Sequence, residues 1–153
     1  MGFNKSTCVA LKSTYEPGEV KVVAYDKTGK AVAEEVVRTA GRPHHLELIA
    51  DRTSITADGK DIAFVTVRVV DKDGNLIPDD ARLLQFKVTG AGSFRAAASG
   101  NPASLDAFHL PQHHAFSGQL VALVQSSEKA GEAILSVSAK GLPTAKIRIQ
   151  VTK

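Results

Sequence analysis

Apolar residues return at every second position along much of this chain, a period that suits β-strands and not helices. From Ala145 to Val151, Ile147, Ile149 and Val151 alternate with Lys146, Arg148 and Gln150, so one face can pack while the other meets water. Leu84, Phe86 and Val88 alternate with Gln85 and Lys87 in the same way. Ala133, Leu135, Val137 and Ala139 alternate with Ser136 and Ser138. Ile62 to Val70 is the longest strand candidate, with Ala63, Val65, Val67 and Val69 on one face and Thr66 and Arg68 on the other. No segment holds apolar residues at i, i+3, i+4 and i+7. The expected fold class is all-β.

Turn-forming residues punctuate these runs. Asp71-Lys72-Asp73-Gly74-Asn75 is a tight polar turn in which Gly74 can take positive φ. Asp58-Gly59-Lys60-Asp61 and Glu128-Lys129-Ala130-Gly131 are similar, and Gly141-Leu142-Pro143 is expected to separate the last two strands. Strands at this spacing suggest a sandwich. Nearer the N-terminus, Glu19 to Tyr25 reads as a strand, Asp26 to Lys30 as a hairpin turn and Ala31 to Arg38 as the return strand. Thr39-Ala40-Gly41-Arg42-Pro43 then breaks the pattern. Two or three strands make no stable sandwich alone. Residues 1–40 therefore read as the C-terminal part of an incomplete β-sandwich domain. Residues 44–153 match the size of a complete immunoglobulin-like β-sandwich, without the Cys…Trp…Cys pattern of antibody domains.

The composition narrows function mostly by exclusion. Nineteen Lys and Arg stand against sixteen Asp and Glu, interspersed and without a basic run, which argues against a nucleic-acid partner. Cys8 is the only cysteine, so the chain forms no internal disulfide, and zinc sites of four cysteines or of two cysteines and two histidines are excluded. No apolar stretch approaches the roughly 20 residues of a membrane helix, so no membrane partner is expected. Met1-Gly2-Phe3-Asn4-Lys5-Ser6 lacks the apolar core of a signal peptide.

Candidate chemistry is thin. His109, His113 and His114 lie in Phe108-His109-Leu110-Pro111-Gln112-His113-His114, and His44-His45 form a second pair. Pro111 opposes the helix that a His-x3-His metal site would need, and Asp106 is the one carboxylate nearby. The expectation is a solvated surface loop, with a zinc or nickel contact as the alternative. Asp51, Asp58, Asp61, Asp71, Asp73, Asp79 and Asp80 stand in turn-like stretches, where Asp caps turns, and no partly buried setting suited to a catalytic acid is evident. Asp71-x-Asp73-Gly74-Asn75 lacks the later bidentate Glu of a calcium loop and reads as a plain turn. Cys8 has no neighbouring base, no Gly-x-Ser-x-Gly elbow is present, and no glycine-rich loop precedes a helix. No catalytic residue, cofactor or metal is therefore expected.

Sugar-binding sandwiches use exposed aromatic rings, but this chain has no Trp and only Tyr15 and Tyr25. Phe64, Phe94, Phe108 and Phe116 read as core or loop-anchoring residues. The long connection from Gly100-Asn101-Pro102 through Phe108 to Phe116-Ser117-Gly118 stands out, since long connections are often functional. Phe108 and Phe116 are expected to pin it to the core. Asn101, Phe108, His109, His113, His114 and Phe116 are its interaction candidates.

Several stretches, each weak alone but specific in their order, carry a family resemblance. They are Tyr15-Glu16-Pro17-Gly18 with Val20 to Tyr25, Thr39-Ala40-Gly41, Asp51 to Asp61, Phe64-Val65-Thr66-Val67 and Val70 to Asn75. Gly100-Asn101-Pro102, Ala115-Phe116-Ser117-Gly118 and Val124-Gln125-Ser126 complete the set. The chain resembles the C-terminal region of bacterial β-galactosidase-like enzymes of glycoside hydrolase family 2. The resemblance implies a longer parent with a (β/α)8 barrel that holds two catalytic glutamates, neither matched here, and with accessory β-sandwiches at its C-terminal end. A periplasmic or extracellular parent is compatible with it. Arg95-Ala96-Ala97-Ala98-Ser99 departs from the Gly/Val/Asn-rich approach to Gly-Asn-Pro in similar proteins, which argues against a ligand role for that turn.

The leading expectation is a non-catalytic accessory region that braces the catalytic barrel or mediates subunit contacts. Its partners would be that barrel and neighbouring β domains, with a homo-oligomer as a further option. The rival is a carbohydrate- or surface-binding immunoglobulin-like module, akin to bacterial adhesion repeats. An enzyme in its own right is the third reading. An apolar patch would favour bracing, and exposed aromatics around a groove would favour binding.

Overall fold

The computed structural model describes residue 14 and residues 16–153. Cys8 and Tyr15 lie outside the described residues. The chain divides into two compact units, Met1–Thr39 and Ala40–Lys153.

In the first unit, β1 (Glu19–Tyr25) and β2 (Ala31–Arg38) form an antiparallel hairpin. Asp26 shapes its turn, with Oδ1 accepting the amides of Thr28 at 2.8 Å and Lys30 at 3.0 Å, while Gly29 takes φ 82°. The strand limits agree with those read from the alternation.

The second unit contains nine strands: β3 (His45–Ala50), β4 (Ser54–Thr56), β5 (Ile62–Val70), β6 (Leu83–Gly90), β7 (Gly92–Ala98), β8 (Gln112–His114), β9 (Gln119–Ser126), β10 (Gly131–Ala139) and β11 (Leu142–Thr152). One sheet runs β4-β11-β10-β6-β8 and the other β3-β5-β9-β7. Pairing is antiparallel except between β4 and β11. The inward rows of the two sheets build one core, an immunoglobulin-like β-sandwich. Ala63, Val65, Val67 and Val69 of β5 and Ala122 and Val124 of β9 pack in the same cluster as Leu84 and Phe86 of β6, Leu135 and Val137 of β10 and Ile149 of β11. Val22 and Val36 of the hairpin are not in it.

The last strand corrects the expected break. Leu142 and Pro143 belong to β11, which turns back at once after Lys140 and Gly141, with Gly141 at φ 80°. Pro143 falls in the register irregularity between the Ala139–Leu142 and Val137–Ala145 pairs, where the ladder asks no amide of it. Phe64 is a second correction. It falls between Ala63 and Val65, which point inward, so the alternation turns its ring outward and leaves it 45% exposed. Among the four phenylalanines expected to pack, Phe94 does so, stacked on Phe86 with ring centroids 5.3 Å apart.

Asp71 is a third correction, because this turn carboxylate is buried. Its Oδ1 accepts the amides of Asp73 and Asn75, both at 2.9 Å, and its Oδ2 accepts the Gly41 amide at 2.8 Å. The Gly41 amide, then the Asn75 side chain and the turn amides, hold its carboxyl far below the usual aspartate range. One carboxylate thus closes the β5 turn and ties down the start of the unit.

Candidate functional site

The connection between β7 and β9 gathers the candidate residues, and its backbone is pinned at several points. The Ala97 amide donates to the Phe108 carbonyl at 2.8 Å, and the Phe86 amide donates to the Pro111 carbonyl at 2.9 Å. Asn101 turns the chain through its side-chain oxygen, which accepts the Ala103 amide at 3.0 Å. Midway, β8 adds to the edge of β6, pairing Leu84 with His113 and Leu83 with His114.

That register decides the fate of the two histidines. Residues directly opposite on paired strands share a face, so His113 points inward with Leu84 and His114 points outward. His113 is fully buried and His114 is exposed. The expected solvated loop is therefore corrected: this histidine pair is a short edge strand with one ring inside the sandwich. Gln112, His113, His114 and Ala115 do alternate in burial, but three polar residues hide the period in the sequence.

Asp106 joins the pair. Its Oδ2 accepts the His114 amide at 2.8 Å, lies 2.9 Å from His114 Nδ1 and is 3.5 Å from His113 Nδ1. The His114 amide, followed by its ring, holds the Asp106 carboxyl below its ordinary range. His113 Nδ1 sits 3.0 Å from the His114 carbonyl, which can only accept, so Nδ1 is the donor. Its Nε2 is buried with no partner. Among the described residues no group of three or more His, Cys, Asp or Glu side chains is arranged to hold a metal ion. His44 and His45 pair with each other, their rings edge-on at 5.3 Å.

The aromatic candidates are placed differently from expectation. Phe108 lies flat against His113, with ring centroids 6.1 Å apart and planes 11° from parallel, yet it is 61% exposed. Phe116 is also exposed. Neither is sunk into the core, because they stand on the stretches of the connection that flank β8, outside the sheet strands. His109 is exposed beside them, as are Leu110 and Leu105, the latter completely. These two leucines escape a reading based on aromatics and histidines. Their signal in the sequence is apolar residues in a segment with no strand period to bury them.

The connection ends in a tight hairpin turn. Phe116 and Gln119 exchange backbone hydrogen bonds at 3.0 and 3.1 Å, with Ser117 at φ 50° and Gly118 at φ 74°. Two successive positive φ values mark a primed turn, whose twist suits paired strands. A Cβ on Gly118 would run into the Ile77 carbonyl, so the Phe116-Ser117-Gly118 stretch is set by a close backbone approach.

The sandwich has known counterparts. Residues 46–148 match the glycoside hydrolase family 2 C-terminal domain 5. The chain belongs to glycoside hydrolase family 2. Within that family it is similar to the β-galactosidase BoGH2A of Bacteroides ovatus, at 43% identity over 141 residues, covering 92% of this chain and 16% of that protein. It is also similar to a β-galactosidase of Thermoanaerobacter pseudethanolicus, at 36% identity over 107 residues, covering 70% of this chain and 13% of the other. A solved glycoside hydrolase family 2 member from Bacteroides cellulosilyticus superimposes with a TM-score of 0.87 at 30% identity, covering 92% of this chain and 18% of that one. The chain thus spans less than a fifth of each of these glycoside hydrolase family 2 relatives.

Proposed function

We propose that this chain is a non-catalytic accessory region of a β-galactosidase-like glycoside hydrolase that braces the catalytic part or mediates subunit contacts. One observation carries the reading: Leu105, Phe108, Leu110 and Phe116 stand exposed on a single connection whose backbone is pinned to the sandwich. Exposed apolar groups gathered on one segment mark contact surfaces, and a pinned backbone lowers the entropy lost on contact.

The carboxylates fit this reading and not an enzyme. A glycosidase acid needs a raised pKa and a second carboxylate facing it. Asp58, Asp61, Asp71 and Asp106 are all held below the ordinary aspartate range, led in each case by a hydrogen bond from a backbone amide.

The test is a chimera in which this chain replaces the matching segment of the Bacteroides ovatus enzyme. Leu105→Asp should lower the melting temperature of the chimera while leaving that of the isolated chain unchanged, since Leu105 is fully exposed in the latter. Equal melting of both chimeras would remove the contact role. The rival carbohydrate-binding reading draws on the exposed, flat-held ring of Phe108. It predicts saturable binding of a galactoside by the isolated chain, lost in Phe108→Ala.

A further inference from the structure

The two sheets of the sandwich point different side chains outward. On the β3-β5-β9-β7 sheet the outward side chains include Ile49 and Phe64, both nearly half exposed. On the β4-β11-β10-β6-β8 sheet they are mostly hydroxyls, amides and cations. Cross-strand partners share a face, and the register lines up Lys146, Ser136 and Lys87 in one row across β11, β10 and β6. One neighbouring row is Arg148, Ile134 and Thr89, and the other holds Ser138, Gln85 and Gln112. None of the large apolar side chains that stand exposed among the described residues lies on this face.

The carboxylates of this face lie at its margins and are already engaged. Glu132 is 3.8 Å from Arg148, and Asp106 accepts the His114 amide at the β8 edge. Lys87 and Lys146 occupy the middle and are exposed. Among the described residues neither enters an ion pair or a side-chain hydrogen bond. The spacing of neighbouring strands sets their backbones about 10 Å apart, on either side of Ser136. Two like charges held in one row repel each other, and an anion laid across the row relieves that repulsion. The lysines come from strands distant in the sequence, so no basic run announces them.

We propose that the outward face of the β4-β11-β10-β6-β8 sheet binds an acidic polysaccharide, laid across the strands along the Lys146–Ser136–Lys87 row. The lysines meet the acidic groups of the chain, and Ser136, Ser138, Thr89 and Gln85 hydrogen-bond its sugar hydroxyls. Nucleic acid suits the face less well, because no Phe or Tyr stands on it for a base to stack on. A membrane surface would ask for exposed apolar side chains to insert. The inference goes beyond the accessory reading and does not rest on it, since none of the residues of the Leu105–Phe116 connection takes part.

Fluorescence anisotropy tests it, with labelled fragments of polygalacturonate, chondroitin sulfate, a neutral galactan and duplex DNA as probes. The 153-residue chain and the chimera should both bind one of the two acidic glycans, more weakly as the ionic strength rises, and should leave the neutral galactan unbound. Lys87→Glu combined with Lys146→Glu should lower that affinity by roughly tenfold or more with the melting temperature unchanged. Lys72→Glu combined with Lys129→Glu changes the net charge equally but off this face, and should bind like the native chain. No binding of either acidic glycan would overturn the proposal, and so would binding that survives reversal of Lys87 and Lys146. An equal loss in the two double variants would assign the effect to net charge and reject the site. Binding of duplex DNA as tight as that of the glycan would reduce the face to a general polyanion surface. Binding by the isolated chain but not by the chimera would show the face covered in the longer protein, which also rejects the site.

Discussion

Asp71 and Phe86 show two ways in which single side chains hold this sandwich. Phe86 is buried and stacks on Phe94. Phe86→Ala removes a ring from a packed interior and should cost about 3–5 kcal/mol, read from chemical denaturation. A loss below about 1 kcal/mol would place the ring outside the core, since truncation of a buried Phe costs several times more. Asp71 acts through charge and hydrogen bonds. Its folded-state pKa lies below the unfolded value of about 3.9, so the ionised form is favoured by folding. The resulting stability is fully present above about pH 4 and is lost as the pH falls toward the folded-state pKa. Unfolding midpoints of the native chain should therefore fall more steeply between about pH 4 and pH 2 than those of Asp71→Asn, which has no carboxyl to titrate there. Parallel pH profiles would show that Asp71 contributes nothing through its charge.

At the level of elements, β8 is the most unusual piece. An edge strand of three residues, Gln112–His114, inserts one imidazole among buried residues that are nearly all apolar and leaves its Nε2 without a partner. An unmet buried polar atom costs about 1–3 kcal/mol, while the Nδ1 bond to the His114 carbonyl returns about 1 kcal/mol. His113→Leu exchanges both for apolar contact. The expected outcome is stability within about 1 kcal/mol of the native chain or above it, measured by thermal denaturation. A larger loss would show that the imidazole has polar work at that position. The hairpin poses the opposite case. Its strand limits are plain in the alternation of Val20, Val22 and Ala24, yet Val20, Val22 and Val37 are each more than half exposed.

At the scale of the whole molecule, the proposed accessory role makes a prediction about turnover. The pure chain should not turn over a chromogenic β-galactoside. Turnover that a single carboxylate substitution in this chain abolished would overturn that expectation. The physical ground is the use to which the carboxylates are put. Asp58 accepts the amides of Lys60 and Asp61 at 2.8 and 2.7 Å, Asp71 closes its own turn, and Asp106 holds β8 through the His114 amide. Groups engaged in this way are stabilised as anions and give up the proton that a general acid would have to carry.

Much of this architecture is legible in the order of residues alone. Alternation with period two determines which residues share a face. It therefore determined the hairpin Glu19–Arg38, strand Ile62–Val70 and a core containing Val65, Val67, Leu84, Phe86, Leu135, Val137 and Ile149, whereas Ile147, expected in the same core, is only partly buried against it. It does not determine which face turns inward when neither is clearly apolar. His113 is buried because β8 pairs with β6 in the register that sets it beside Leu84, a consequence of sheet order between distant segments. Nor does it reach segments without a period. Leu105, Phe108 and Phe116 are as hydrophobic as core residues, and only their place on the non-strand stretches either side of β8 leaves them in water. Asp71 is buried for the same kind of reason: the chain at Gly41, thirty residues away in sequence, comes back across its turn and donates an amide to it.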